Sequence, residues 1–197
     1  MLTRDIADFA KRTHNRKAVL CLDATFSPPP LSKPFDFGVD FIVHSGTKFL
    51  GGHSDLLAGI IVCKKKSQWF ELFEDRLLLG TILGSLESFL LLRSLRTLHL
   101  RVPVQSQSAT KIVAWLENVR INGSSKLAKG TIKEIWHESL QKEEFVKKQA
   151  VGGFCPVFSF SVSDEEKAKD LVQKVKLFTH ATSLGGYVLS LLFFHLM

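Results

Sequence analysis

An α/β fold is expected from three observations. Short apolar runs that read as strands alternate with helical-period segments through the first half of the chain. A long helical stretch follows, and beyond it a smaller α+β set of strand and helix patterns. The 197 residues are 45% hydrophobic and 10% aromatic, ample for a buried core and too apolar for a disordered chain.

The elements can be justified in order. Residues 1–17 carry Arg4, Lys11, Arg12, Arg16 and Lys17, yet Asp5 and Asp8 interrupt the acid-poor pattern of a transit peptide. Ile6, Phe9 and Ala10 fall at helical spacing, so an amphipathic surface helix is expected there. Residues 18–22 form a continuous apolar run stopped by Asp23, which reads as a strand buried on both faces, as in a parallel sheet. Residues 26–34 are too rich in proline for a helix. Residues 39–43 are a second strand ending at His44-Ser45, and residues 56–63 a third. Residues 68–79 have helical period. Residues 86–119 read as one long helix, kinked at Pro103 and joining two units. A turn is expected at 122–125, a charged helix at 141–149, a break at Gly152-Gly153 and a strand at 156–162. Asp164 is placed to cap a helix over 165–175, with acids in its first turn and lysine in its last, and 176–180 returns to strand. The apolar tail 187–197 is shorter than the roughly 20 residues of a membrane span. It reads as a buried strand, a helix or an abnormal chain end.

Composition narrows the function classes. Lys+Arg 26 against Asp+Glu 19 leaves a net charge of +7. The basic residues are scattered, and the one tight run, Lys64-Lys65-Lys66, suits a solvated turn after a strand better than a phosphate track. No nucleic-acid motif accompanies it, so neither nucleic acid nor a membrane is expected as a partner. Cys21, Cys63 and Cys155 are too few and too scattered for a disulfide scaffold; they read as ordinary buried thiols of a reducing, cytoplasmic compartment.

Two strand ends offer polar groups where open α/β sheets place ligands. The first is Asp23-Ala-Thr25-Phe26, the second His44-Ser45-Gly-Thr47-Lys48-Phe-Leu-Gly-Gly-His53-Ser-Asp55. Beyond their strands, Asp23 and Lys48 are expected to converge on one pocket. A lysine amine can condense with an aldehyde cofactor. Pyridoxal 5'-phosphate is such an aldehyde, and a carboxylate at its ring nitrogen makes the ring an electron sink. In an extended loop Ser45 and Thr47 would face the same side and both donate to the phosphate. Spacing alone leaves a polar turn, and a capping or ion-pairing Asp23, equally open. His44, His53 and Asp55 match no common zinc spacing and read as structural, so no metal is expected.

These motifs, together with Pro30, Pro34, Gly38-Val-Asp40, Leu92-Arg93-Ser-Leu-Arg-Thr-Leu98, Arg101 and Ser183-Leu-Gly-Gly186, resemble the Cys/Met-metabolism group of pyridoxal-phosphate enzymes. These are the cystathionine γ-synthases, γ-lyases and β-lyases. The resemblance covers most of residues 15–186. It implies a type I, aminotransferase-like fold: a partial cofactor-binding large domain over residues 1–105 with a parallel or mixed sheet, and a small α+β C-terminal domain over 106–197. It implies Lys48 as Schiff-base lysine and proton shuttle and Asp23 as pyridinium partner. Ser45 and Thr47 are implied as phosphate donors, Thr25 near the ring, and Ser183 beside the substrate carboxylate. It further implies a small-molecule amino-acid substrate, sulfur-containing or O-activated, elimination or replacement at Cβ or Cγ, and a homo-oligomer built as a dimer of dimers. Ala24 departs from the family's usual Asn or Gly. The family's large domain begins upstream of residue 1, and past Gly186 it continues with Glu-Ser-Leu and an arginine for the substrate, so the chain is expected to be cut short at both ends. On that view the isolated chain is expected to be poorly soluble or to need a fuller partner subunit. The alternative reading is a catalytically incompetent fragment that serves only in assembly or has no activity.

Overall fold

The computed structural model describes residues 2–186 and 189–191. Asp5 caps α1 (Ile6–Asn15), its Oδ1 accepting from the Ala7 and Asp8 N–H groups at 3.0 and 3.3 Å. The helix sets Ile6 against a small core of Ala24, Val39 and Ile42, joined by Leu20, Leu22 and Phe35. That core lies under a three-stranded sheet in the order β1-β2-β3. β1 (Cys21–Asp23) pairs parallel with β2 (Phe41–Ser45), with Asp23 opposite Val43. β3 (Gly59–Cys63) pairs antiparallel on the other side of β2, with Ser45 opposite Gly59. The sheet is therefore mixed. The residue alternation shows in β2, where Ile42 and His44 are buried while Phe41, Val43 and Ser45 are half-buried.

Two strand expectations and the expectation of buried thiols need correction. β1 is not buried on both faces: Cys21 is exposed and Leu22 only half-buried, because β1 is an edge strand with β2 as its one partner. The third strand starts at Gly59 rather than residue 56, since Leu56 turns into a separate core with Leu50 and Leu91. Of the three free thiols only Cys155 is buried; Cys63 is half-buried.

After Lys64 and Lys65, α2 (Lys66–Leu79) ends at Gly80, which takes a left-handed φ of 67°. The expected single kinked helix is two helices, α3 (Ser85–Leu95) and α4 (Leu98–Asn122). The break falls at Arg96-Thr97, and α4 runs straight through Pro103 as a continuous helix. The cause is local hydrogen bonding. The Ser94 carbonyl accepts from the Thr97 N–H at 3.1 Å and from its hydroxyl at 3.2 Å, which competes with continuing the helical ladder. α4 buries Val102, Ser106, Ala109, Val113, Leu116 and Val119, the stripe of an amphipathic helix.

Leu116 and Val119 pack on Ile132 of β4 (Ile132–Trp136), which pairs antiparallel with β5 (Ser159–Val162). Sequence patterning did not reveal β4. Ile132 and Ile135 stand three residues apart, a helix-like spacing that the register shift between Ile132 and Glu134 accommodates inside a strand. α5 (Glu144–Gln149) is shorter than the stretch anticipated, because 141–143 are extended. Asp164 caps α6 (Glu165–Lys174) as its sequence implies, its Oδ1 accepting from the Glu166 and Lys167 N–H groups. β6 (Phe178–His180) pairs parallel with β7 (Leu189–Leu191), so the tail contributes a strand there. Leu189 is exposed, not buried, and residues 187, 188 and 192–197 lie outside the described residues. Among the described residues no helix is long and apolar enough to cross a membrane.

Candidate functional site

Because β1 and β2 are parallel, their carboxyl ends share one edge of the sheet, and the two motifs leave from it side by side. Hydrogen bonds zip them together. The Ala24 N–H donates to the Val43 carbonyl at 2.9 Å. The Thr25 N–H donates to Asp23 Oδ1 at 2.9 Å, and Thr25 Oγ1 accepts the Ser45 N–H at 2.8 Å. Thr25 is buried, 8% exposed, and its hydroxyl joins the loops.

Beyond Ser45 the chain is not extended. Residues Gly46–Leu50 form a tight π-type turn in which the Gly51 N–H donates to the Gly46 carbonyl at 2.8 Å and the Gly52 N–H to the Lys48 carbonyl at 2.7 Å. The expectation that Ser45 and Thr47 face one side through extension is therefore replaced by a turn geometry. Gly46 is glycine for a packing reason: a Cβ there would stand 2.9 Å from the Ala58 methyl. Thr47 Oγ1 accepts the Ala58 N–H at 3.1 Å, which ties the turn to the approach of β3 and leaves the hydroxyl proton free to donate elsewhere. Lys48 is half-buried at the centre of the turn. Its Nζ reaches Ser183 Oγ at 3.4 Å. The Ser183-Leu-Gly-Gly186 segment rests on the turn so closely that a Cβ on Gly185 would stand 2.7 Å from the Phe49 nitrogen.

Three of the predicted residues line hollows, and they line two different ones rather than one. Thr47 and Ser183 line a cleft of about 730 Å³ with Ser54, Asp55, Gly84 and Glu87. Asp23 lines a second hollow of about 400 Å³, mostly apolar, with Leu22, Phe26 and Arg4. Asp23 is held back toward Thr25 at the strand end, whereas the turn carries Lys48 out toward Ser183. Both still stand at the same sheet edge.

Two residues whose roles the sequence did not reveal frame this edge. His44 is 5% exposed, and its Nδ1 is buried with no hydrogen-bond partner. Burial pushes its imidazole below the ordinary histidine range, against the opposing pull of the Ala24 backbone and the Asp23 charge. Its alternation with Ile42 in β2 was the available signal. Arg101 donates from Nη1 to the Phe49 carbonyl at 3.0 Å and from Nη2 to the Leu50 carbonyl at 3.3 Å. No group of three or more His, Cys, Asp or Glu side chains among the described residues is placed to hold a metal.

Solved structures share this mixed α/β fold. A cystathionine γ-synthase from Xanthomonas oryzae pv. oryzae, in complex with aminoacrylate and cysteine, superposes with a TM-score of 0.83 at 29% identity, over 95% of this chain and 46% of that one. The fold is that of the pyridoxal-phosphate-dependent cystathionine lyases and synthases. The family model for Cys/Met metabolism PLP-dependent enzymes matches residues 1–194, and the chain belongs to that family. Among curated relatives, a cystathionine β-lyase of Lactococcus lactis subsp. cremoris (strain MG1363) is 33% identical over 185 residues, covering 92% of this chain and 46% of the relative. A cystathionine γ-lyase of Bacillus subtilis (strain 168) is 36% identical over 181 residues, covering 92% and 45%. The chain thus spans about half the length of the curated relatives it matches.

Proposed function

We propose that this chain carries the lysine-bearing part of a pyridoxal-phosphate enzyme of transsulfuration, acting at Cβ or Cγ of a sulfur-containing or O-activated amino acid. The supporting observation is the Lys48 turn, which sets an amine 3.4 Å from Ser183 at the edge where Asp23 ends the neighbouring strand. The donor set suits the cofactor chemically. It offers a carboxylate for a ring nitrogen, hydroxyls for a phosphate and an amine for an aldehyde, and Thr47 accepts from Ala58 without using its own proton.

In this reading Asp23 keeps the proton on the cofactor's ring nitrogen, and the Thr25 N–H fixes which way its carboxylate points. Ser45 and Thr47 hold the phosphate. When bound, the cofactor supplies the aldehyde and the electron sink for charge developing at Cα. The Lys48 amine would take the Cα proton, and the substituent on Cβ or Cγ would leave with its bonding electron pair; general-base transfer of this kind contributes typically ~10²–10⁴-fold. Ser183 orients the Lys48 amine and meets the substrate beside it. The cleft containing Asp55 and Glu87 receives the substrate, with acids complementary to its ammonium group. β-Lyase, γ-lyase and γ-synthase relatives share this machinery, and the proposal stays at that common chemistry. A homo-oligomer is part of the reading. The alternative of an inert assembly fragment is the poorer one, since the turn, Asp23 and Ser183 are all kept.

The test is covalent trapping. Pyridoxal 5'-phosphate followed by borohydride should leave one pyridoxyl label, which peptide mapping places on Lys48, and Lys48→Ala should abolish it. Asp23→Ala should weaken cofactor retention at least tenfold. Equal labelling of the wild type and Lys48→Ala would overturn the proposal.

A further inference from the structure

We infer that Arg101 is the positioning residue of the lysine turn, locking its exit to the corner between α3 and α4. The inference rests on the proposed role of Lys48 for its consequence in function, but its geometry stands in the protein alone. All three guanidinium nitrogens are engaged. Nε donates to Thr97 Oγ1 at 2.9 Å and Nη1 to the Phe49 carbonyl at 3.0 Å. Nη2 donates to the Leu50 carbonyl at 3.3 Å and to the Ser94 carbonyl at 3.0 Å. Three backbone carbonyls, those of Phe49 and Leu50 and that of Ser94 far along the chain, thus share one planar fork. A lysine ammonium has three donors on a single atom and cannot span that geometry.

The surroundings are shaped for the fork. Gly52 has φ +70°, and a Cβ there would collide with Arg101 Nη1. A second link runs in parallel. His53 Nδ1 lies 2.7 Å from the Gly51 carbonyl and 3.1 Å from Ser94 Oγ, and Ser94 is 2% exposed. Ser94 is therefore held at its carbonyl by Arg101 and at its hydroxyl by His53, which follows the lysine turn. The carbonyls of Phe49 and Leu50 lie at the end of the turn, where the π-type pattern leaves backbone acceptors without ladder partners. Lys48 itself has φ −88° and ψ −121°, outside helical geometry, so its direction depends on the turn being held at both ends. Thr47 holds the entry through Ala58, and Arg101 holds the exit.

Hydrogen exchange on the cofactor-free chain reads this directly. Arg101→Gln should speed exchange at the Gly51 and Gly52 amides at least tenfold while amides of β4 and β5 keep their rates. Arg101→Lys should recover only part of the protection. Gly52→Ala, which leaves the guanidinium intact but displaces it, should loosen the same amides and serves where Arg101→Gln does not fold. With pyridoxal 5'-phosphate and borohydride, labelling of Lys48 should slow at least tenfold in the same variants. Unchanged exchange at Gly51 and Gly52, or an equal rise across the chain, overturns the inference. Absence of Lys48 labelling in the wild type overturns the proposed function and leaves the exchange result to decide on Arg101.

Discussion

His137 shows how a single buried residue ties this chain's stability to pH. It is fully buried, donating from Nε2 to the Cys155 carbonyl at 2.8 Å, while Nδ1 accepts from the Ser139 hydroxyl at 2.8 Å. Burial pushes its imidazole below its ordinary 6.5, as it does for His44. The unfolded chain then binds protons before the folded one does. Stability should be full above about pH 6.5 and be lost as the pH falls through the lowered folded values. Urea melts between pH 8 and 5 should show this slope, and His137→Asn should reduce it without abolishing it, because His44 remains. The same substitution should cost about 2–3 kcal/mol at pH 8 by leaving buried partners unpaired. The Cys155 thiol, pushed up to about 12 by burial, should resist alkylation in the folded protein, unlike exposed Cys21. At this scale the types and spacing of Asp23, Ser45, Thr47 and Lys48 suggest a cofactor loop, while Ser183 enters only through the family resemblance. The contacts of Arg101 were not legible there, since a guanidinium bonded to distant carbonyls looks in sequence like any surface arginine.

Strand and helix periods were legible wherever the pattern was regular, as in α1, β2, α4 and the Asp164-capped α6. They failed where hydrogen bonding or register intervened. Pro103 was the obvious candidate for a kink, yet the break lies at Thr97, where side chain and backbone both bond the Ser94 carbonyl. Pro103→Ala should therefore keep the corner between α3 and α4 while restoring an N–H to the helix ladder. The expected gain is up to about 3 kcal/mol, read as a higher Tm with the Gly51 and Gly52 exchange rates unchanged. β4 was missed for the opposite reason: its bulge made a strand look helical.

Taken whole, the molecule leaves much apolar surface open. Leu57, Leu78, Leu79 and Leu177 are 77%, 86%, 74% and 81% exposed, and α2 buries none of its residues. Exposed apolar side chains in such number favour association. The 197-residue chain should therefore sediment above its 22.1 kDa monomer mass, and Leu78→Lys with Leu79→Lys should shift it toward monomer. Family resemblance and fold class followed from the sequence alone, because local residue order carries strand ends, turn signals and motif spacing, and the same motifs nominate Lys48 as the proposed reactive amine. Only the tertiary structure decided that the lysine sits on a π-type turn, that Asp23 and the lysine turn face separate hollows, and that Arg101 bolts that turn to a helix corner. Those features are made by backbone carbonyls and side chains brought together from distant segments, and no local pattern encodes where a buried hydrogen bond finds its partner.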